Sequence, residues 1–238
     1  MPSSETLVLI PAFNEEPRLP EVLQQVRQVA PRLDVLVVND GSTDATSAVA
    51  RAAGARVCAH PFNLGYGVAL QTGYKYALRA GYRFVVQLDA DGQHDPAYVA
   101  ALLQAVEGAD VVLGSRFREP GSYRPPLLRR AGMILFARVA SMLMGQRITD
   151  PTSGFRVLSR RALQFCASDS FPVDYPDADM LVAFHRAGLR VAEVPVRMHA
   201  SAESGSMHGG LRPLYYVFKM GISIPLTMLR REHAALEP

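Results

Sequence analysis

Short runs of consecutive apolar residues alternate along the chain with longer stretches in which apolar residues recur every three or four positions. The runs at 6–10, 35–38, 56–58, 84–88 and 110–113 have the length and Val/Leu/Ile/Phe content of buried strands. Between them, Leu19, Val22, Leu23, Val26 and Val29 mark one face of a helix opened by Pro17 and Pro20. A helix over 45–53 follows a Ser/Thr/Asp cluster of N-cap type and stops at Gly54. A third, over 68–80, is closed by Gly81, and a fourth starts at Pro96 with Val99, Leu102, Leu103 and Val106 inward. This alternation predicts an α/β fold: a mostly parallel, Rossmann-like sheet with helices on both faces.

After residue 116 the rhythm changes. Residues 117–128 read as loop, with Pro120, Gly121, Pro125 and Pro126, and 127–145 as a helix. On that helix Arg130 and Ser141 fall on nearly one face, with Arg138 close by. Residues 148–156 combine turn formers with Asp150 and Arg156. Asp174, Asp177 and Asp179 precede a helix over 178–187, and 190–196 is a last strand. Residues 199–210 form a Gly/Ser loop expected to be mobile. Residues 211–229 form an amphipathic segment with basic and aromatic residues, divided by Pro225. Such a segment lies in a membrane interface or packs on the protein's own core. Residues 1–200 form one domain, and 201–238 belong to that same domain or form a C-terminal membrane-interface appendage. No internal repeat is visible.

The candidate chemistry sits where strands end. The run at 84–88 stops in Asp89, Ala90, Asp91, Gly92, Gln93 and His94. A buried strand that finishes in two carboxylates is costly unless something positive sits beside them. On an extended segment an alternate pair points the same way, so the two carboxylates can share one divalent cation, with Gln93 supplying a third oxygen. Hard oxygen donors suit Mg²⁺ or Mn²⁺, ions that also hold substrate phosphates. The bland alternative is a solvated turn, because Asp and Gly are common turn residues. The other strand ends carry Asn14-Glu15-Glu16, Asn39-Asp40-Gly41-Ser42-Thr43-Asp44 and Gly114-Ser115-Arg116. Open parallel sheets bind ligands at those ends. A GxGxxG dinucleotide fingerprint and a P-loop are both absent.

Composition narrows this little. The 238 residues are 49% hydrophobic, ample for a core, and the net charge of +3 suits a phosphate-rich ligand or an anionic membrane surface. Nothing calls for a nucleic-acid partner. Cys58 and Cys166 stand in no metal or redox spacing, which fits a cytoplasmic chain with buried thiols. No leader peptide is expected from the first residues, and no run is long and apolar enough to span a membrane. Residues 131–145 are interrupted by Arg138, and 211–229 by Arg212 and Lys219.

Four motifs in order, PAFNEE, VVNDGSTD, QLDADGQH and TDPTSGFR, resemble the family-2 glycosyltransferases of the GT-A fold. Within that family the chain is most similar to the polyprenyl-phosphate glycosyltransferases, the group that includes dolichyl-phosphate mannose synthase. The resemblance covers residues 5–200. It implies that Pro11, Ala12, Phe13, Glu15, Asp40, Gly65, Asp89 and Ala90 contact the nucleotide, with Asp40 accepting from a base N–H. Asp89, Asp91 and Gln93 would hold the Mg²⁺ or Mn²⁺ that bridges the diphosphate. Arg116 and Arg130 would bind the acceptor phosphate. Asp150, Arg156, Asp179 and Ser141 would shape the sugar and acceptor side. The 199–210 loop would close over the nucleotide, though His208 or Arg212 stands where many relatives have a cation near their Gly-Ser. Many relatives also carry C-terminal spans that this chain lacks.

The expected activity is therefore inverting transfer of a sugar from a UDP- or GDP-sugar to undecaprenyl or dolichyl phosphate. The enzyme would sit peripherally at the cytoplasmic face of the membrane, with a small membrane protein as a candidate partner. A phosphate acceptor is already anionic and needs no strong base. If the acceptor were a saccharide hydroxyl instead, Asp150 or Asp179 would have to act as the base. A non-catalytic nucleotide-binding scaffold is the third reading, disfavoured by the intact Asp89/Asp91/Gln93 set.

Overall fold

The computed structural model describes residues 4–123, 127–172 and 178–200. The expected C-terminal appendage, and Asp174 and Asp177, lie outside the described residues. The first half follows the predicted alternation: β1 (Thr6–Ala12), α1 (Leu19–Val29), β2 (Asp34–Asn39), α2 (Thr46–Ala52), β3 (Arg56–Ala59), α3 (Tyr66–Ala80) and β4 (Phe84–Gln87). A 3₁₀ turn (Pro96–Tyr98) then leads into α4 (Val99–Ala105) and β5 (Val111–Ser115). The second half holds α5 (Leu127–Met144), β6 (Arg156–Ser159), α6 (Arg160–Ala167), α7 (Ala178–Arg186) and β7 (Val191–Pro195).

Among the described residues the strands form one seven-stranded sheet in the order β3-β2-β1-β4-β6-β5-β7. All neighbours are parallel except β6, which runs antiparallel to both β4 and β5. Strand alternation splits the core in two. Leu7 and Leu9 face a layer that includes Leu70 and Tyr74 of α3, Ala140 of α5, Leu163 of α6 and Leu181 of α7. Val8 and Ile10 face the opposite layer, with Leu23 of α1, Ala50 of α2 and Leu102 of α4. Each fully buried Leu or Val there contributes about 1.5–3 kcal/mol of transfer free energy.

Two elements were not foreseen. β6 is four residues long and begins with the arginine that closes the turn-rich stretch 148–156, and residues 157–167 carried no assignment. It forms because β4 and β5 leave a gap that an antiparallel strand fills, pairing Gln87 with Arg156 and Leu113 with Arg156. α6 follows at once, capped by the Ser159 hydroxyl, which accepts from the Ala162 N–H. The antiparallel sense matters for function. It brings the start of β6, and the loop before it, to the edge where β1, β2, β4 and β5 end.

Among the described residues β7 is an edge strand, and side chains reach the carbonyls on its open side. Gln146 Nε2 donates to the Val191 carbonyl and Arg118 Nη1 to the Glu193 carbonyl.

Candidate active site

The loops after β1 and β2 interlock. The Asn14 and Glu15 N–H groups donate to the Ser42 and Thr46 hydroxyls, and the Glu16 N–H donates to Asp44. In return, the Thr43 N–H donates to the Asn14 side chain and the Ala45 N–H to Glu16. α2 is capped through this lattice, its Thr46 N–H donating to Asp44. Asn14 adopts φ 55°, a conformation Asn tolerates better than most residues. Phe13 stands on this rim, 45% exposed. Pro11 and Ala12 lie at the end of β1, buried within it.

Asp40 is buried and already well occupied. Its Oδ1 pairs with His60 Nδ1 at 2.7 Å and accepts from the Leu64 N–H. Its Oδ2 accepts from the Gly65 N–H at 2.8 Å. His60 reaches on through Nε2 to Thr72 Oγ1. Gly65 has φ 101°, which only glycine adopts at low cost, and it opens α3. Asp40 and Gly65 thus act together here to shape the loop before α3. His60 carries no motif of its own, and sequence reasoning did not single it out.

Asp89, Ala90 and Asp91 follow β4 in a turn completed at Gly92, not in the extended segment expected from the sequence. Asp89 Oδ1 accepts from the Tyr66 hydroxyl at 2.8 Å, and that hydroxyl accepts from Gln87 Nε2 at 3.0 Å. Burial and the neighbouring Asp89 charge keep the Tyr66 phenol far above its ordinary pKa, so it stays a donor. Behind the turn, His94 Nδ1 accepts from the Asp89 N–H at 3.1 Å, and its ring stacks on Phe155 at 5.2 Å. Nδ1 is then the acceptor, and neutral His94 carries its proton on Nε2. Burial lowers the His94 pKa to about 4. Tyr66 and His94 were not assigned roles from the sequence; His94 was visible as part of DADGQH.

Burial pushes the Asp89 carboxyl above the ordinary range, while the Tyr66 hydrogen bond and the charges of Arg156 and Arg116 pull it back. Asp91 is pushed up by burial first and then by Asp89. A divalent cation beside them would offset this cost of burying the two carboxylates. Among the described residues no group of three His, Cys, Asp or Glu is arranged to hold a metal.

The loop before β6 closes the site. A Cβ on Gly154 would lie 2.6 Å from Asp89 Oδ2, so the backbone of this loop rests directly on the carboxylate. Arg156 is almost completely buried, and its Nε donates to the Ser153 carbonyl. Asp150 is fully buried, and its Oδ2 accepts from both the Arg116 backbone N–H, at 3.1 Å, and Arg116 Nε, at 2.7 Å. On α5, the Ser141 hydroxyl donates its one proton to the Ala137 carbonyl at 2.6 Å, lies 3.1 Å from the Ile148 carbonyl, and accepts from the Ile148 N–H. It ties the helix to the start of the loop. Among the described residues, Arg130 Nε is buried without a hydrogen-bond partner. Asp179 is fully buried, and its Oδ1 accepts from the Met180 N–H. The expected site residues thus gather along one edge of the sheet for Pro11, Ala12, Glu15, Asp40, Gly65, Asp89, Ala90, Asp91, Gln93, Arg116, Asp150 and Arg156. Arg130, Ser141 and Asp179 stand on the helices α5 and α7, which pack against each other.

This sheet order, with an acidic turn after β4 and an antiparallel strand delivering a second loop to it, is that of a GT-A glycosyltransferase. The chain belongs to glycosyl transferase family 2, whose model matches residues 7–166. It is 35% identical over 206 residues to the polyprenol monophosphomannose synthase of Mycolicibacterium smegmatis, covering 82% of this chain and 77% of that one. It is also 35% identical over 216 residues to the undecaprenyl-phosphate mannosyltransferase of Micrococcus luteus, covering 86% and 88%. In three dimensions it resembles the glucosyl-3-phosphoglycerate synthase of Mycobacterium tuberculosis, crystallised in complex with Mn²⁺ and uridine-diphosphate-glucose. That likeness has a TM-score of 0.69 at 24% identity and covers 93% of this chain and 78% of that one.

Proposed function

We propose that this protein transfers a sugar from a UDP- or GDP-linked donor to the phosphate of a polyprenyl phosphate, with inversion at the anomeric carbon. The observation that carries the choice of acceptor is the state of Asp150 and Asp179. Both are fully buried, and both already accept hydrogen bonds, from Arg116 and from the Met180 N–H. A saccharide hydroxyl would need one of them as an accessible base. A phosphate monoester is a ready nucleophile and asks only for cations to hold it, and two mannosyltransferases named for polyprenyl acceptors are among the relatives.

In this reading Phe13, with Pro11, Ala12 and Glu15, lines the nucleoside pocket, and Asp40 and Gly65 shape the loop that closes its side. Asp89, Asp91 and Gln93, with Ala90 between the carboxylates, would hold a Mg²⁺ or Mn²⁺ ion. That ion supplies charge neutralisation for the departing diphosphate. Tyr66 and Gly154 fix the Asp89 carboxylate so that its oxygens need not reorganise. Arg116, oriented by Asp150, and Arg130, with its unpartnered Nε, bind the acceptor phosphate; guanidinium geometry suits that task. Ser141 contributes by anchoring the loop at Ile148, and Arg156 and Asp179 complete the wall on the sugar side. Among the described residues no helix is long and apolar enough to cross a membrane. In this reading the polyprenyl acceptor puts the enzyme peripherally at the cytoplasmic face of the membrane, with a small membrane protein as a candidate partner.

The test is incubation of the purified protein with Mn²⁺ or Mg²⁺, a panel of UDP- and GDP-sugars, and undecaprenyl phosphate in detergent. A lipid-linked monosaccharide, formed together with nucleoside diphosphate and lost in Asp91→Ala, is the expected result. Diphosphate release only when a saccharide replaces the lipid would overturn the acceptor assignment.

A further inference from the structure

Glu193, on the edge strand β7, lies outside every motif that points to the site, yet its carboxylate is inserted into the loop that carries Asp150. Oε1 accepts from the Thr149 N–H at 2.8 Å and the Asp150 N–H at 2.9 Å, and Oε2 accepts from the Thr149 hydroxyl at 2.8 Å. Because the single hydroxyl proton of Thr149 goes to Glu193, the 2.6 Å contact between Ser115 and Thr149 is a donation by Ser115. Arg118 Nη1 meanwhile donates to the Glu193 carbonyl at 2.8 Å. One residue therefore grips both loops of the acceptor side: residues 149–150 through its carboxylate and residue 118 through its backbone. Between these two grips runs the Asp150–Arg116 pair.

We infer that Glu193 is a positioning residue for acceptor binding, setting Arg116 through Asp150 without touching substrate. The inference rests on the proposed phosphate acceptor for its functional readout, though not for its structural one. Pairing between β7 and β5, with Leu113 opposite Glu193 and Ser115 opposite Pro195, fixes the glutamate backbone against the strand that ends in Arg116. The carboxylate then fixes the loop. Two backbone N–H groups held by one ionised oxygen make a stiff hinge point, since hydrogen bonds to charged groups are the strong ones. A small displacement of Asp150 passes directly to Arg116 Nε, whose partner it is.

The geometry makes an unusual demand on the conservative variant. In Glu193→Gln the amide oxygen keeps both backbone N–H groups. The amide nitrogen then donates to the Thr149 hydroxyl, which reverses its own proton toward Ser115. The grip survives with its polarity inverted. Glu193→Ala loses all three bonds. With full-length protein, acceptor-dependent kcat in Glu193→Ala is expected to fall about 100-fold, the scale of an ångström-sized misplacement, while nucleotide affinity measured by calorimetry stays within about twofold. Glu193→Gln should restore turnover to within about fivefold of wild type, the worth of one ordinary hydrogen bond. Hydrogen exchange supplies the readout that needs no substrate. Amide protection at Thr149, Asp150 and Arg116 should drop in Glu193→Ala and persist in Glu193→Gln. Equal impairment of the two variants would overturn the inference in favour of a role for the charge itself. Unchanged protection at Thr149 and Asp150 in Glu193→Ala would overturn it outright. If wild type transfers sugar to no lipid phosphate, the acceptor assignment fails, and the exchange result alone decides the positioning role.

Discussion

Gly154→Ala tests how closely the site depends on backbone packing. An added Cβ would stand 2.6 Å from Asp89 Oδ2 and 3.2 Å from its Cγ and Oδ1. Ordinary contact needs about 3.5 Å, so the carboxylate or the loop must give way by close to 1 Å. The carboxylate is not free to yield cheaply. Its Oδ1 is held by Tyr66 at 2.8 Å, and the loop is held at Phe155, whose carbonyl accepts from the Gly114 N–H at 2.9 Å. A displacement of that size in a reacting constellation costs about 100-fold in rate, equivalent to about 2.7 kcal/mol. The folding penalty should be about 1–3 kcal/mol, as for other overpacked positions. Gly154 has no left-handed φ, so the effect is steric contact with Asp89 rather than backbone strain. Turnover and divalent-cation-dependent nucleotide binding should fall together, with denaturant unfolding checking that the protein remains folded. Wild-type turnover and cation dependence in Gly154→Ala would refute the claim that Asp89 is fixed where it acts.

Three further perturbations are expected to behave as follows. Tyr66→Phe strips the donor from Asp89 and leaves Gln87 Nε2 without its acceptor; urea unfolding should show a loss of about 1–3 kcal/mol, and cation affinity should weaken. His94 binds its proton less readily folded, with a pKa of about 4, than at its ordinary 6.5, so unfolding takes up a proton between those values. Its contribution to stability is present above pH 6.5 and is lost as pH falls toward 4, at up to about 1.4 kcal/mol per pH unit. Asp89 and Asp91, raised by burial, act in the opposite sense, so the measurement is the difference in pH slope between wild type and His94→Asn in chelator; parallel curves would contradict it. Gly132→Ala, inside α5 with nothing among the described residues within 4 Å of the added Cβ, should raise stability by about 0.5–1 kcal/mol, read from the thermal midpoint.

Sequence alone determined the helices and parallel strands of the first half, because strand and helix periods differ and each element there is long enough to show its own. It also located the polar clusters at strand ends, and with them Asp89, Asp91 and Arg116, and it marked Asp150 in a turn-rich stretch of its own. It left 157–167 unassigned, because a four-residue strand opening on a buried arginine has too short a pattern to separate from a turn. Only the tertiary structure decided that this strand runs antiparallel between β4 and β5. That reversal, rather than any local preference, sets Gly154 against Asp89 and Asp150 against Arg116. The same holds for Tyr66, His60 and Glu193. Each acts on a partner 20 or more positions away, and a contact at that distance leaves no periodic trace in the chain. Local propensity speaks for neighbours in sequence, whereas the site is assembled from neighbours in space.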